Sequence, residues 1–152
     1  MKHVFIVAIV LLVIASCSTR KDRAVNRAYH QTTTKFNVLF NGEEAIAAGV
    51  EAEIESHHSN FWEQLPVEPF PLVDLSTLSP KENANFSRGE EKAVIAVQKH
   101  SMQFGNEQRN QQIDEAYMLL GKARYYNGRY LQALDAFNYI IDQLPYLSLI
   151  HI

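Results

Sequence analysis

Cys17 is the only thiol in this chain of 152 residues, and it lies close to the N-terminus. A single cysteine excludes an intramolecular disulfide. A short polar start, an apolar run over residues 4–14 and the small pair Ala15-Ser16 precede it. This order is the layout of a secretory signal. The thiol therefore stands where an exported chain would be processed.

Small residues directly before a cysteine resemble the lipobox of bacterial lipoproteins. The resemblance implies cleavage before Cys17, acylation of its thiol and a mature chain outside the cytoplasm. The apolar run is shorter than the about 20 residues that a spanning helix needs, and a simple signal anchor stays as the alternative. We predict a lipoprotein signal peptide at residues 1–16 and a lipidated tether at residues 17–23, whose polar sequence suits a linker.

Histidines and acidic residues are the candidates for catalysis and metal binding. Adjacent His57 and His58 point about 100° apart on a helix, so they do not form one two-ligand face. Asp114 and Glu115 lie at the start of a predicted helix, and His100 lies near the C-terminus of another. The helix dipole favours acidic residues at the first position and a histidine at the second. The sequence has no phosphate-binding glycine loop, nucleophile elbow or HExxH motif. We expect no enzymatic activity, catalytic residue, metal, cofactor or small-molecule substrate.

Composition is close to neutral in charge. The chain has 14 basic and 17 acidic residues, and removing residues 1–16 takes away one basic residue and no acidic one. No basic patch is apparent, so nucleic acid is not an expected partner. The hydrophobic fraction of 47% is enough for a packed core.

The segment over residues 25–57 predicts two helices joined by a turn. Apolar residues recur at helical spacing over residues 25–40, although the β-branched run at residues 32–34 weakens that helix. Asn41-Gly42 is expected to end it, because a stretch rich in helix formers follows.

Four of the five prolines lie within residues 59–85, which predicts a long extended loop. Trp62 at its start is a candidate docking element, and a loop clamped onto the helices is the alternative. A helical pattern resumes at Phe86, and we expect Gly105 to end that helix.

The strongest internal pattern runs from Ile113 to Pro145, where two apolar helical stripes flank a break at residues 127–129. It resembles the tetratricopeptide repeat, a helix–turn–helix unit of 34 residues. The residues at the mutual spacing of that family are Leu120, Gly121, Gly128, Tyr130, Ala133, Phe137 and Pro145. The chain departs from the family at Tyr117, Arg124 and Ile140.

This resemblance implies an all-α fold of tetratricopeptide-like helix–turn–helix repeats, an α-solenoid, over residues 24–146. The repeat itself would occupy residues 113–146. A single repeat cannot bury its own apolar faces, so the helices predicted at residues 25–57 and 86–102 should pack with it as degenerate repeats. Residues 147–152 are apolar without a capping face, and we expect a truncated or non-native tail there.

A closer resemblance covers nearly all of residues 17–145. The chain is similar to the periplasmic lipoproteins of type IX secretion and gliding motility in Bacteroidetes (the SprE/PorW group). The stretches that carry the likeness are residues 17–22, 29–42, 60–69, 85–86, 90–94, 98–102 and 112–117. The resemblance implies the N-terminal part of a longer adaptor without enzymatic activity. It also implies attachment to the periplasmic side of the outer membrane and protein partners in the secretion or motility machinery.

Aromatic residues are candidates for contact with such partners. Tyr126 and Tyr139, together with Tyr125 and Tyr130, could line a groove, and packing within and between repeats is the alternative. Two other functions stay open: a nutrient-uptake lipoprotein that binds glycans, and a lipoprotein of outer-membrane protein assembly. The envelope complex that co-purifies with the chain would discriminate between them.

Overall fold

In a computed structural model, residues 18–62, 64–65 and 83–143 are described, and they confirm a predominantly α-helical fold. The elements in chain order are α1 (Ala24–Thr33), a π-helical segment (Thr34–Leu39), α2 (Phe40–Ser56), α3 (Ala84–His100), β1 (Gln103–Phe104), β2 (Glu107–Gln108), α4 (Ile113–Tyr126) and α5 (Tyr130–Gln143). Most of the predicted proline-rich loop falls outside the described residues.

The first three segments form one unbroken helix, so the predicted turn at Asn41-Gly42 is wrong, and with it the helix pair over residues 25–57. Gly42 is buried, and its role is close packing between helices. A Cβ at this position would lie 2.5 Å from Cδ2 of Leu119 in α4 and 3.1 Å from Cβ of Lys92 in α3. Glycine occurs both in turns and where two helices pack closely, and the sequence alone does not distinguish these two roles.

The threonine run also continues the helix, because the backbone widens into the π-helical segment there. The hydroxyl Oγ1 of Thr34 donates a hydrogen bond of 2.6 Å to the carbonyl oxygen of His30, one turn earlier. A threonine hydroxyl inside a helix commonly bonds back to the preceding turn, and such bonding often bends the helix. The predicted weakness at residues 32–34 thus changes the helix geometry without ending the helix.

The core is centred on α3, which packs between α2 and α4, while α5 packs on the other side of α4. Small residues allow these close approaches: Ala93 and Ala96 are fully buried, and a Cβ at Gly89 would lie 2.7 Å from Cγ1 of Ile46. Phe86, at the start of α3, is one of the largest fully buried side chains. Each of these helices therefore packs chiefly on its neighbours in the sequence.

Asparagines tie three helix ends together. The side chain of Asn83 caps α3 by accepting a 2.9 Å hydrogen bond from the backbone N–H of Asn85, and its amide donates to Glu53 in α2 at 3.1 Å. Asn127, buried in the turn between α4 and α5, accepts a 3.0 Å hydrogen bond from the backbone N–H of Asn83. The start of α3 is thereby fixed to the end of α2 and to the α4–α5 turn.

Gly105 does not end α3, contrary to the sequence-based expectation, because the helix already ends at His100. Gly105 lies in the tight turn between β1 and β2, with a φ of 60° that favours glycine. The two short strands are antiparallel and pair Gln103 with Gln108. This hairpin leads the chain from α3 to α4.

Candidate functional site

The pair formed by α4 and α5 is the part of the molecule that the sequence predicts best. The first helix of the pair ends at Tyr126, the second begins at Tyr130, and Gly128 between them has a φ of 71°. Asp114 and Glu115 lie in the first turn of α4, where acids were expected. Pro145, predicted to end the second helix, lies outside the described residues.

Close packing between α4 and α5 depends on Gly121. A Cβ at this position would overlap the ring of Phe137 in α5, so the ring lies directly against the α4 backbone. Leu120 and Ala133 are buried as well. Of the residues in the repeat pattern, Tyr130 is different, since it is 42% exposed.

Arg124, where the chain departs from the repeat pattern, takes part in an ion-pair cluster. Its Nε donates to Oε1 of Glu90 in α3 at 3.0 Å, and the guanidinium of Arg129 contacts the other oxygen of the same carboxylate. A second guanidinium nitrogen of Arg124 donates to the backbone carbonyl oxygen of Gln132 at 3.1 Å. The cluster links α3 to the turn and the first residues of α5.

The two tyrosines proposed for partner contact belong to different ring pairs. Tyr139 stacks on Tyr117 with the ring centroids 4.1 Å apart, and Tyr126 stacks on Phe86 at 5.2 Å. Burial, followed by the proximity and hydrogen bond of Tyr139, raises the pKa of Tyr117 to about 12. These contacts favour the packing interpretation that the sequence left open, although Tyr139 is still 39% exposed.

Trp62, the third candidate for partner contact, is 97% exposed. Its backbone N–H donates to Oδ1 of Asn60 at 3.2 Å, and the neighbouring Phe61 is exposed too. Its side chain is thus available at the start of the loop, and most of the proline-rich segment that follows lies outside the described residues. Cys17, the predicted lipidation site, also lies outside them.

An apolar surface that the site prediction did not single out lies along α5. Leu131, Leu134 and Ile141 are 80%, 53% and 65% exposed, although the same helix buries Ala133, Ala136 and Ile140 against α4. We call the three exposed residues the α5 stripe. Helices in globular proteins normally turn such side chains toward another element, so several apolar side chains left open on one side are typical of a surface that packs against something else.

A shallow pocket of about 370 Å³ lies between α2 and α4. Glu43 and Lys122 line it together with Glu115, whose pKa is raised, first by burial and then by the neighbouring Asp114. The described part of the chain contains no group of three or more His, Cys, Asp or Glu side chains able to hold a metal ion. His57 and His58 lie at the C-terminal end of α2.

Sequence reasoning missed a buried pair of histidines. Nδ1 of His30 in α1 and Nδ1 of His100 at the end of α3 are 3.0 Å apart, and both residues are at least 90% buried. Burial lowers the pKa of both imidazoles, and the charges of His30 and Lys99 lower that of His100 further. The expected helix-end stabilisation of a charged His100 is therefore outweighed by desolvation.

Asn110 completes this buried cluster. Its amide nitrogen donates to Oγ1 of Thr34 at 3.1 Å and to the carbonyl oxygen of His100 at 2.9 Å. We call His30, Thr34, His100 and Asn110 the polar joint. Its hydrogen-bonded residues are as many as 76 positions apart, and no spacing rule in the sequence signals such a contact.

Neither the family models nor the curated proteins compared with this chain include a match. Within the described ranges, no helix has both the length and the apolar character needed to cross a membrane.

Proposed function

We propose that the chain is a lipid-anchored helical-repeat adaptor that binds other proteins on the periplasmic side of the outer membrane, in type IX protein secretion or gliding motility. The anchor would be acylated Cys17, and the α4–α5 pair would be a tetratricopeptide repeat. The proposal is supported by the sequence resemblances and by one structural observation, the open α5 stripe.

That observation bears on function because of how the helices are packed. From α2 to α5, each helix packs chiefly on its sequence neighbours, as in solenoids, whose terminal apolar faces need a further helix or a polar cap. The α5 stripe is an open apolar face, and its side chains Leu131, Leu134 and Ile141, at positions i, i+3 and i+10, lie on one side of the helix, where an amphipathic helix can pack on them. The occupant would be an amphipathic helix of a partner protein.

Crosslinking and affinity purification of the tagged, acylated protein from its native envelope would test the adaptor function. We expect enrichment of secretion-ring or motor components, and we expect Leu131→Ser combined with Leu134→Ser to reduce their recovery at least tenfold. Gln132→Ser combined with Asp135→Ser is a matched control, because both positions are exposed on the same helix. Recovery of an uptake porin alone, or equal recovery by both double variants, would overturn the proposal.

The exposure of Trp62 favours one alternative, a glycan-binding lipoprotein of nutrient uptake. An indole that is 97% exposed can stack on a sugar ring, as it can on a protein surface. Isothermal titration with oligosaccharides would distinguish the two. A heat signal that disappears in Trp62→Ala would support glycan binding, whereas no signal at millimolar sugar would exclude it.

A further inference from the structure

We infer that the N-terminal half of the first helix lies on the surface of an anionic phospholipid bilayer. The inference extends the proposed function, because it uses the same membrane to which Cys17 would attach the chain. It rests on an exposed apolar stripe, on an asymmetric distribution of charge, and on the position of both next to the predicted lipidation site.

The apolar stripe consists of Val25, Tyr29, Phe36 and Phe40, which are 66%, 45%, 70% and 56% exposed. At 3.6 residues per turn, slightly more in the π-helical segment, these positions recur on one side of the helix. We call them the aromatic stripe. The opposite side of the same segment is buried, with His30, Thr34 and Val38 turned toward the rest of the molecule.

Charge along the helix divides into two parts. Residues 18–40 contain five basic side chains and a single acid, Asp22, whereas residues 41–62 contain five glutamates and neither lysine nor arginine. Asp22 is itself paired with Arg27 and Arg109. The basic part therefore matches the negative headgroups of a bilayer, and the acidic part would be repelled by them.

The two features coincide on the helix. Nζ of Lys35 lies 5.8 Å from the ring centroid of Phe36. A basic side chain that can bind a lipid headgroup therefore lies next to the aromatic stripe. Arg20, Lys21 and Arg23 are exposed just before α1 begins. On the distal half, exposed Glu44, Glu51 and Glu55 follow the line of the stripe. With this pattern, the first half of the helix is attracted to an anionic membrane and the second half is repelled by it.

The position of Cys17 strengthens the choice of a bilayer over a protein partner. Only residues 18–23 separate it from the first residue of α1, and six residues span at most about 20 Å. An acyl chain inserted at Cys17 therefore keeps Val25 and Tyr29 near the headgroup region. Attachment by a lipid chain and a basic amphipathic surface together give more stable membrane binding than one signal alone.

The test uses Cys17 as a chemical handle. The chain from residue 17 onward is coupled through this thiol to a maleimide lipid in vesicles of phosphatidylethanolamine and phosphatidylglycerol, so the result does not depend on acylation in cells. In a Trp62→Phe background, Phe36→Trp places the only tryptophan in the aromatic stripe. Glu51→Trp places it on the distal half as the matched control.

We expect brominated acyl chains to quench Phe36→Trp at least threefold more strongly than Glu51→Trp. Tyr29→Ser combined with Phe40→Ser should remove most of that difference, while Leu131→Ser combined with Leu134→Ser should leave it unchanged. Replacing phosphatidylglycerol by phosphatidylcholine should weaken the quenching. Equal quenching of the two probes, or no quenching of either, would overturn the inference. That outcome would leave the adaptor proposal to its own purification experiment, which depends on the α5 stripe.

Discussion

Two regions of the described chain are stabilised by different kinds of contact: the polar joint of the first helix and the interface between α4 and α5. At the polar joint, the first helix meets the end of α3 and the segment just before α4 through buried hydrogen bonds among His30, Thr34, His100 and Asn110. Between α4 and α5, the ring of Phe137 lies directly on Gly121. The first contact depends on fixed donor and acceptor positions, whereas the second depends on shape. They should therefore fail in different ways when they are perturbed.

The largest effect is expected from Asn110→Ala. This change removes two hydrogen bonds donated by the amide and a third accepted from the backbone N–H of Gln112, and it leaves buried oxygens without a donor. We expect a loss of about 3 kcal/mol in the free energy of unfolding, measured by urea denaturation. Gln103→Ala, on the exposed side of the neighbouring hairpin, is the control and should cost little. A loss below about 1 kcal/mol for Asn110→Ala would contradict the central place given to this residue.

A smaller effect is expected from Gly121→Ala. The added methyl group would overlap the Phe137 ring, and overpacking of a core costs about 1–3 kcal/mol. We expect the free energy of unfolding, measured by urea denaturation, to fall by about 2 kcal/mol. Comparison with Asn110→Ala then sets the cost of a poor fit against the cost of lost hydrogen bonds.

Combining Gly121→Ala with Phe137→Leu provides the check on the cause of that loss. The smaller side chain makes room for the methyl group, so the double variant should be more stable than the sum of the two single changes predicts. Strict additivity would show that the glycine and the ring do not interact.

The same contrast explains which features could be predicted from the sequence. The α4–α5 pair joins neighbouring segments, so periodic apolar residues, Gly121 and a short break were enough to predict its helices and its turn. Gly42 was misread because its close contact is with Leu119, far along the chain. His30 and His100 are 70 residues apart, and their contact exists only once the helices have packed. Sequence patterns thus predict packing between neighbouring segments, but they do not predict the contacts between distant residues that form the polar joint.

The smallest expected effect is the pH dependence of the free energy of unfolding. It distinguishes the polar joint from the α4–α5 contact without a substitution. Both imidazoles of the polar joint have a lowered pKa in the folded chain, because burial disfavours the charged form, and the charges of His30 and Lys99 lower the pKa of His100 further. The unfolded chain therefore binds more protons as pH falls through about 6.5. The stability contributed by the neutral pair is present above that pH and is lost below it. We expect about 1 kcal/mol less unfolding free energy at pH 6 than at pH 7.

His100→Gln should flatten this pH dependence, since one member of the pair no longer titrates, while His58→Gln, at an exposed position, should leave it unchanged. Glu115 works in the opposite direction at lower pH, because its raised pKa favours the folded state as it protonates, so the comparison is made above pH 5.5. The Gly121→Ala variant should lose the same stability at every pH in that range, because its contact contains no titrating group. Equal pH dependence in the wild type and in His100→Gln would place the pH-sensitive element outside the polar joint.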